Sequence, residues 1–284
     1  MGSGTLYVVA TPLGNLEDVT LRALRVLREV GLIAAEDTRR TRILLDRHGI
    51  GTPVTSYYDA VERERAPRLI AELLSGKSIA LVSDAGTPGI ADPGYHLVRG
   101  AVAAGVSVVP VPGPSAVAAL ISVAGVPAER FCFEGFLPAR ASARARRLAE
   151  LAREPRAIVL LESGRRLAAL LAAAAEALGP REAVIGRELT KRHEELLRGS
   201  LPELAARIRG MDAVRGEVTV VIAAQTAETA TAPLEEAGVD ERLRVRLAAG
   251  ESVRDAAVAV ARETGSGRRD VYQRALALAR ARRA

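Results

Sequence analysis

The stretch Ile79-Ala-Leu-Val-Ser-Asp-Ala-Gly-Thr-Pro-Gly-Ile-Ala-Asp-Pro-Gly94 decides the fold of this 284-residue chain. Its first four residues are apolar and predict a short buried strand of a parallel sheet. Glycine, proline and aspartate then follow abruptly, as they do where a strand ends in a loop. Asp84 lies at the carboxyl end of this strand, the edge at which open α/β sheets bind ligands. The stretch therefore predicts a binding loop, although a plain β-to-α connection with Asp92 as the helix cap explains part of it.

The same strand-to-loop pattern occurs three more times in the first half of the chain. Short apolar runs precede the loops Thr11–Asn15, Glu36–Arg40 and Pro112–Ala116. Because the carboxyl ends of parallel strands meet at one edge of a sheet, we expect the four loops to converge on a small-molecule site. Asp37 or Thr38 would cap the helix after Glu36, and Ser115 would cap the helix that follows the last of these loops.

Composition restricts the class of protein. The chain is 49% hydrophobic and long enough for about two domains. It has no apolar run long enough to span a membrane and no signal peptide at its start, so we expect a cytoplasmic protein without a membrane partner. A single cysteine, Cys132, excludes an internal disulfide framework, and three scattered histidines predict no metal site.

The formal net charge is +6, and arginine supplies nearly all of the positive charge, because Lys77 and Lys191 are the only lysines. The planar guanidinium suits phosphate, which makes a nucleic-acid partner reasonable. A bias in the coding sequence toward arginine and alanine would explain the same composition equally well.

The second half of the chain predicts a second α/β domain and a helical tail. Its predicted strands are 131–136, 157–161, 183–186 and 217–222. We predict domains at residues 1–116 and 117–226, and a helical C-terminal segment at 234–284. A capped apolar helix, a glycine turn and a helix that begins with basic residues suggest helix-turn-helix geometry in this tail, although packing alone would also produce it.

The residues alone do not identify the ligand. There is no G-x-G-x-x-G after the first strand and no Walker loop, which argues against dinucleotide and triphosphate sites. The segment 187–195 alternates charges densely, as a solvated hairpin or helix start does, but it also follows a strand end and could face the first domain. Glycine-rich strand ends with an acid suit a cofactor that is itself charged and activated.

Six motifs, taken in their order along the chain, indicate a specific family. They are TPLGNLEDVTLRA (11–23), EDTRRTRILL (36–45), SDAGTPGIADPG (83–94), PGPSA (112–116), FEGFLP (133–138) and RELTKRHEEL (187–196). In this order and spacing the chain resembles the tetrapyrrole methylase superfamily, and more closely its ribosomal RNA small subunit methyltransferase I branch. The resemblance covers about residues 5–225. It departs from the family pattern at 160–166, where an aromatic residue before the glutamate and a Ser-Pro-His-Arg ending would be expected.

The resemblance implies two α/β domains of the tetrapyrrole methylase type, with the cofactor cleft between them and a small helical C-terminal segment. It implies 2′-O-methylation of a cytidine ribose in the decoding region of 16S rRNA, in the small ribosomal subunit, by a homodimer that uses S-adenosylmethionine. The implied cofactor contacts are Pro12, Leu13, Asp84, Gly86, Thr87, Ile90, Ser115, Ala116, Leu161, Leu189 and Ala223.

For catalysis we predict that Asp37 and Arg39 face Glu188 and Lys191 across the cleft. A ribose hydroxyl must lose its proton as the methyl group arrives, and the neighbouring phosphates need positive partners. A structural ion pair between Asp37 and Arg39 is the plainer alternative.

Two other functions compete with this one. A tetrapyrrole C-methyltransferase would use the same cofactor, but the motifs at 36–45 and 187–196 and the basic tail favour RNA. An RNA-binding ribosome-assembly factor with a degenerate pocket is the non-enzymatic alternative, and four intact loops argue against it.

Overall fold

The computed structural model describes residues 2–211, 216–224, 236–264 and 267–281. The chain divides into two compact units, residues 1–224 and 225–284. The first unit contains two five-stranded sheets, and the second is helical. This confirms the α/β fold class with a helical C-terminal segment.

The first sheet is entirely parallel. Its strands are β1 (Thr5–Val9), β2 (Leu32–Ala35), β3 (Val54–Ser56), β4 (Ile79–Val82) and β5 (Ser107–Val111), in the order β3-β2-β4-β1-β5. Every residue of β2 and β4 is buried, which explains their uninterrupted apolar sequence. All the strands therefore end at the same edge of the sheet.

Helices cover both faces of this sheet. They are α1 (Leu21–Glu29), α2 (Thr38–Arg47), α3 (Glu62–Leu74) and α4 (Tyr95–Ala103), with a short 3₁₀ helix at Leu16–Asp18. Buried residues of α1 and α2 pack on one face, and those of α3 and α4 on the other. The predicted Asp92 cap is wrong, because α4 begins two residues later and Gly94 occupies its N-cap position.

The second sheet is mixed. Its strands are β6 (Phe131–Phe136), β7 (Ala157–Ser163), β8 (Glu182–Arg187), β9 (Glu195–Ser200) and β10 (Glu217–Ile222), in the order β6-β7-β10-β8-β9. Strands β6 and β7 are parallel, whereas β10 is antiparallel to both β7 and β8. The charged segment 187–195 connects the antiparallel pair β8 and β9, so it is a hairpin.

Helices also cover both faces of the second sheet. One core contains residues of α6 (Ala141–Leu151), α7 (Gly164–Leu178) and α8 (Leu201–Arg209). On the other face, Leu120 and Ala124 of α5 (Ala116–Ala124) pack against the strands. Helix α5 begins at residue 116 and packs on the second sheet. All strands of the first sheet and the helices that cover it therefore come before α5 in the chain.

The C-terminal unit consists of α9 (Glu236–Ala248), α10 (Val253–Thr264) and α11 (Arg268–Ala281). Leu243, Val260 and Val271 are buried in its own small core. Ser252 caps α10, because its hydroxyl accepts the Asp255 N–H at 3.1 Å. Residues 227–233, between the second predicted domain and the predicted helical segment, are a predicted Thr- and Ala-rich linker and lie outside the described residues, as do residues 265 and 266 of the predicted glycine turn. None of the described helices has the length and apolar character that a membrane span requires.

Candidate active site

A cleft of about 320 Å³ lies between the two sheets of the first unit. Its walls are the loops after β1, β2, β4 and β5, together with the carboxyl ends of β7 and β8 and the start of β10. This volume is at the lower end of the range for small-molecule sites. The loops that converge at the edge of the first sheet therefore meet a second set of residues from the other sheet.

The loop after β4 is attached to the loop after β1 through backbone hydrogen bonds. Thr11 and Gly86 exchange N–H to carbonyl bonds of 2.8 and 2.9 Å, and the Thr11 hydroxyl donates to the Ser83 carbonyl at 3.0 Å. Gly86 has a φ of 79°, in the left-handed region that strongly favours glycine. Its Cα faces Leu13 and Pro114, so the backbone itself forms part of the cleft wall.

Hydrogen bonds connect the segments that carry two cleft carboxylates, Glu36 after β2 and Asp84 after β4. Asp84 accepts the Asp37 N–H at 2.9 Å, and its own N–H donates to Glu36 at 3.1 Å. Arg40 lies 3.4 Å from the other oxygen of Asp84. Burial raises the pKa of Glu36, and the negative charge of Asp84 adds to this effect, while the hydrogen bond from the Asp84 N–H opposes it.

On the opposite wall, Lys191 holds two carboxylates. Its ammonium group lies 3.0 Å from Glu188 and 3.4 Å from Glu217, and the Glu217 N–H also donates to Glu188 at 3.1 Å. Partial burial alone would raise the pKa of Glu188, but the bonds from Lys191 and Glu217 outweigh it and lower that pKa. The carboxylate of Glu188 is therefore charged and engaged at neutral pH.

The segment that carries Lys191 is strained and contacts the loop after β1. Glu188 and Thr190 have φ values of 51° and 66°, and such values are rare for a β-branched residue. The Thr190 hydroxyl accepts the Asn15 N–H at 3.1 Å, and the Lys191 stem packs on Gly14. Strain of this kind is characteristic of functional segments held by their surroundings.

Comparison with known proteins decides the family. The model of tetrapyrrole (corrin/porphyrin) methylases matches residues 5–205, and that of the RsmI C-terminal HTH domain matches residues 232–279. The chain belongs to the tetrapyrrole methylase family. It is 46% identical to ribosomal RNA small subunit methyltransferase I of Pseudomonas aeruginosa, over 97% of this chain and 98% of the relative. The protein of the same name from Mesorhizobium japonicum is 45% identical, over 96% of this chain and 92% of the relative.

Solved structures of the family show the same fold. The methyltransferase CobJ matches with a TM-score of 0.61 and 21% identity, covering 78% of this chain and 95% of that one. Uroporphyrin-III C-methyltransferase from Thermus thermophilus, complexed with S-adenosylhomocysteine, matches with a TM-score of 0.54 and 20% identity, covering 77% and 97%. These structures agree in fold, and the family match with the relatives confirms the resemblance seen in the sequence motifs.

Most of the predicted family contacts lie on the cleft. Leu13, Asp84, Gly86, Thr87, Ile90, Ser115, Ala116, Leu161 and Leu189 line it, as do Glu188 and Lys191. Pro12 lines a neighbouring cavity of about 290 Å³ instead. Val218 and Thr219, which the sequence analysis missed, also line the cleft because β10 begins there.

The prediction for Ala223 is corrected by the direction of its strand. Ala223 follows β10, and β10 runs antiparallel to β7 and β8. The start of β10 therefore lies at the cleft, and its end lies at the opposite edge of the sheet. There the Ala223 N–H donates to the backbone carbonyl of Glu182 at 2.8 Å. Ala223 is buried there, away from the cleft lining.

The predicted pair Asp37 and Arg39 also requires correction, because neither residue lines the cleft. Asp37 is the N-cap of α2 and accepts the Arg39 N–H at 2.9 Å, while the Arg39 guanidinium binds it at 3.0 and 2.7 Å. The Arg39 side chain is 89% exposed. Successive helical residues point about 100° apart, so the next residue, Arg40, reaches the cleft instead.

We expect Asp37→Ala to lower stability and leave methyl transfer nearly unchanged. The bonds from Arg39 lower the pKa of Asp37 to about 2. A carboxylate with a lowered pKa stabilises the fold above its ordinary pKa of about 3.9, and this contribution disappears as the pH falls toward the folded-state value. Thermal melting should show the variant unfolding a few degrees earlier at pH 7, with the difference shrinking below about pH 4. An unchanged melting temperature with turnover reduced about 100-fold would instead indicate that Asp37 is a catalytic residue.

Proposed function

We propose that this protein transfers a methyl group from S-adenosylmethionine to the 2′-hydroxyl of a cytidine ribose in the decoding region of 16S rRNA. The observation that carries the proposal is the formed cleft at the family motifs of a chain that matches rRNA methyltransferases over nearly its whole length. Under this proposal the protein acts in the cytoplasm on the small ribosomal subunit, as a homodimer.

The charge of the cleft fits the cofactor. Among the described lining residues, six are acidic (Glu36, Asp84, Asp92, Glu162, Glu188 and Glu217) and two are basic (Arg40 and Lys191). S-adenosylmethionine carries a sulfonium and an ammonium group against one carboxylate, so its net charge complements this excess of acid. A triphosphate or a dinucleotide would meet repulsion in the same place.

The shape and polarity of the walls fit the cofactor as well. Leu13, Leu161 and Leu189 supply apolar surface for an adenine ring. Ser115 and Ala116 place the N-terminus of the nine-residue helix α5 at the cleft, and helix N-termini favour a carboxylate. The Gly86 backbone leaves room for close approach of the ligand.

The cofactor supplies a methyl group that is bonded to a sulfonium sulfur, and this sulfur leaves as part of a neutral thioether. The protein's main task is therefore to align the acceptor hydroxyl with that methyl group, since alignment can contribute much of the acceleration. The strained segment at Glu188–Lys191 and the linked loops after β1 and β4 give the cleft rigid walls for this purpose.

A second cavity beside the cleft supports the binding of an acceptor nucleotide. The neighbouring cavity of about 290 Å³ shares Leu13, Arg40, Asp84 and Lys191 with the cleft. Pro12, Leu16, Ile43 and Leu44 give it an apolar surface suited to a base. Arg40 and Lys191 border it as well, and each would have to exchange a carboxylate partner for an adjoining phosphate. The match to the RsmI C-terminal HTH domain supports RNA rather than a tetrapyrrole as the acceptor.

The decisive experiment uses small ribosomal subunits from cells that lack this protein. We expect the purified enzyme to transfer one labelled methyl group from S-adenosylmethionine to a cytidine ribose, located by mass mapping of rRNA fragments. Methylation of a base would overturn the 2′-O assignment, and methylation of a tetrapyrrole alone would overturn the RNA substrate. Absence of S-adenosylmethionine binding in calorimetry would favour the non-catalytic assembly factor.

A further inference from the structure

Asp92 is an acidic residue of the cleft that the sequence analysis treated as a helix cap. It lies in the loop between β4 and α4 and lines the cleft beside Ala91. Ala91 has a φ of 62°, an uncommon value for a residue other than glycine. The loop is held on both sides, because the Gly94 N–H donates to Glu62 of α3 at 3.2 Å and Ala91 faces Gly135 of β6. These contacts hold the backbone of the loop that presents Asp92 to the cleft.

The other carboxylates of the cleft are already engaged. Asp84 is paired with Arg40, Glu188 and Glu217 share Lys191, and Glu162 lies 3.0 Å from Arg166. Glu36 accepts the backbone N–H of Asp84. Within the described part of the chain, Asp92 is the cleft carboxylate that has neither an ion pair with lysine or arginine nor a backbone hydrogen bond of this kind. Apart from the contact with the Ser83 hydroxyl, its carboxylate is available to a ligand.

Negative charges surround Asp92 from three strand ends. They are Glu36 after β2, Asp59 after β3 and Asp84 after β4, while the Ser83 hydroxyl is its polar neighbour. Arg40, a cation that lines the cleft on this wall, is held by Asp84. Burial, followed by the charge of Glu36, raises the pKa of Asp92 to about 7, and a hydrogen bond with Ser83 only partly opposes this. A general base is most effective when its pKa is close to the working pH.

We infer that Asp92 accepts the proton of the ribose hydroxyl during methyl transfer. The inference rests on the proposed function. As the ribose oxygen forms its bond to the methyl carbon, the sulfur–carbon bond breaks and its electron pair stays on sulfur. The hydroxyl proton passes to an oxygen of Asp92, and the products are a methyl ether, a neutral thioether and a protonated carboxyl group. Asp92 thus takes the place that the sequence analysis gave to Asp37.

The test compares Asp92→Asn with Asp59→Asn. Both changes remove one negative charge from the same acidic cluster, but Asp59 is exposed and is not part of the cleft lining. In Asp92→Asn we expect turnover on small ribosomal subunits to fall about 10²- to 10⁴-fold, with affinity for S-adenosylmethionine within about threefold of the wild type. The wild-type rate should rise with pH to a plateau above about pH 7. Asp59→Asn should keep this rising shape, with a midpoint at slightly lower pH because one of the negative charges around Asp92 is gone.

A readout without turnover uses carbon NMR of labelled aspartate in the free protein. A carboxyl group that titrates near neutral pH should be present in the wild type and in Asp59→Asn, and absent from Asp92→Asn. If Asp92→Asn does not fold, Asp92→Glu keeps a carboxylate, and its turnover should retain a limb that rises with pH.

Near-wild-type turnover in folded Asp92→Asn would overturn the inference. A loss confined to S-adenosylmethionine affinity would overturn it as well, since Asp92 would then only bind the cationic cofactor. The wild type could show a carboxyl group that titrates near neutral pH and still methylate no rRNA. That result would overturn the proposed function, while the unusual titration of Asp92 would stand.

Discussion

Gly86→Val is expected to lower the affinity for S-adenosylmethionine by about 100-fold or more, which corresponds to about 2.7 kcal/mol. A Cβ at residue 86 would lie 3.5 Å from Leu13 Cδ2 and 3.8 Å from the Pro114 carbonyl, both ordinary contacts. The two γ-methyl groups of valine extend further, into the space where the Gly86 backbone lines the cleft. The φ of 79° adds strain for a β-branched side chain. Isothermal titration calorimetry with the purified variant measures the effect.

Gly49→Val is the matched control for this experiment. Gly49 also has a positive φ, 62°, but a Cβ there would meet no heavy atom within 4 Å, and the residue is absent from the cleft lining. Both variants should melt earlier than the wild type because both carry left-handed strain. Only Gly86→Val should lose cofactor affinity. Wild-type affinity in a folded Gly86→Val protein would remove this loop from the cofactor site.

Much of the first sheet was predictable because its signals are local. The apolar run that precedes Glu36 and the predicted strand at 79–82 are observed as the buried strands β2 and β4, since a central parallel strand buried on both faces must be apolar throughout. Ser115 caps α5 as predicted, with its hydroxyl accepting the Ala118 N–H at 3.4 Å. Convergence of the loops then followed from strand direction alone, which is why most predicted cofactor contacts lie on one cleft.

Strand direction in the second sheet was not predictable in the same way. The segment 217–222 was identified as a strand with the observed bounds, yet its apolar sequence is compatible with either direction. Only its pairing with β7 and β8 makes it antiparallel, and this pairing brings Val218 rather than Ala223 to the cleft. Hydrogen bonding across a sheet depends on distant segments, so a local pattern does not determine it.

The errors among charged residues have a different physical cause. Asp37 and Asp92 each precede a helix, and residue type favours both as caps. The structure gives the cap to Asp37 and leaves Asp92 in the cleft, because α4 begins only at Tyr95, with Gly94 as its N-cap. Shifting a helix start by two residues reverses which acid is structural and which is available for chemistry.

In the C-terminal unit the structure refines which arginines are available to RNA. The basic residues of the predicted second tail helix include Arg268, Arg269 and Arg274. Arg274 lies 3.5 Å from Asp240, and the side chain of Arg268 lies outside the described part. Arg254 of α10 and Arg269 of α11 are both exposed, and they line a shallow cavity with Tyr272, whose exposure is 39%. Two cations beside an exposed aromatic ring form a surface suited to phosphate and an unstacked base.

We expect deletion of residues 234–284 to weaken rRNA binding about 10- to 100-fold at physiological salt and to reduce its salt dependence, because phosphate contacts release counterions. Cofactor affinity should be unchanged, since the cleft is lined by residues of the first unit. The double variant Arg254→Ala with Arg269→Ala should lower the slope of log affinity against log salt by about two, because each arginine bound to a phosphate contributes about one to that slope.

Arg244→Ala is the control, because Arg244 lies in the same unit but is paired with Glu241 at 3.3 Å. Binding titrations at several salt concentrations separate the possibilities. An equal slope for the wild type and the double variant, with weakened binding only after deletion, would mean that the tail contacts RNA through another face. An unchanged slope after deletion as well would mean that the tail only packs and does not contact RNA. The positive partners of the rRNA phosphates would then have to lie in the first unit, where Arg40 and Lys191 border the neighbouring cavity.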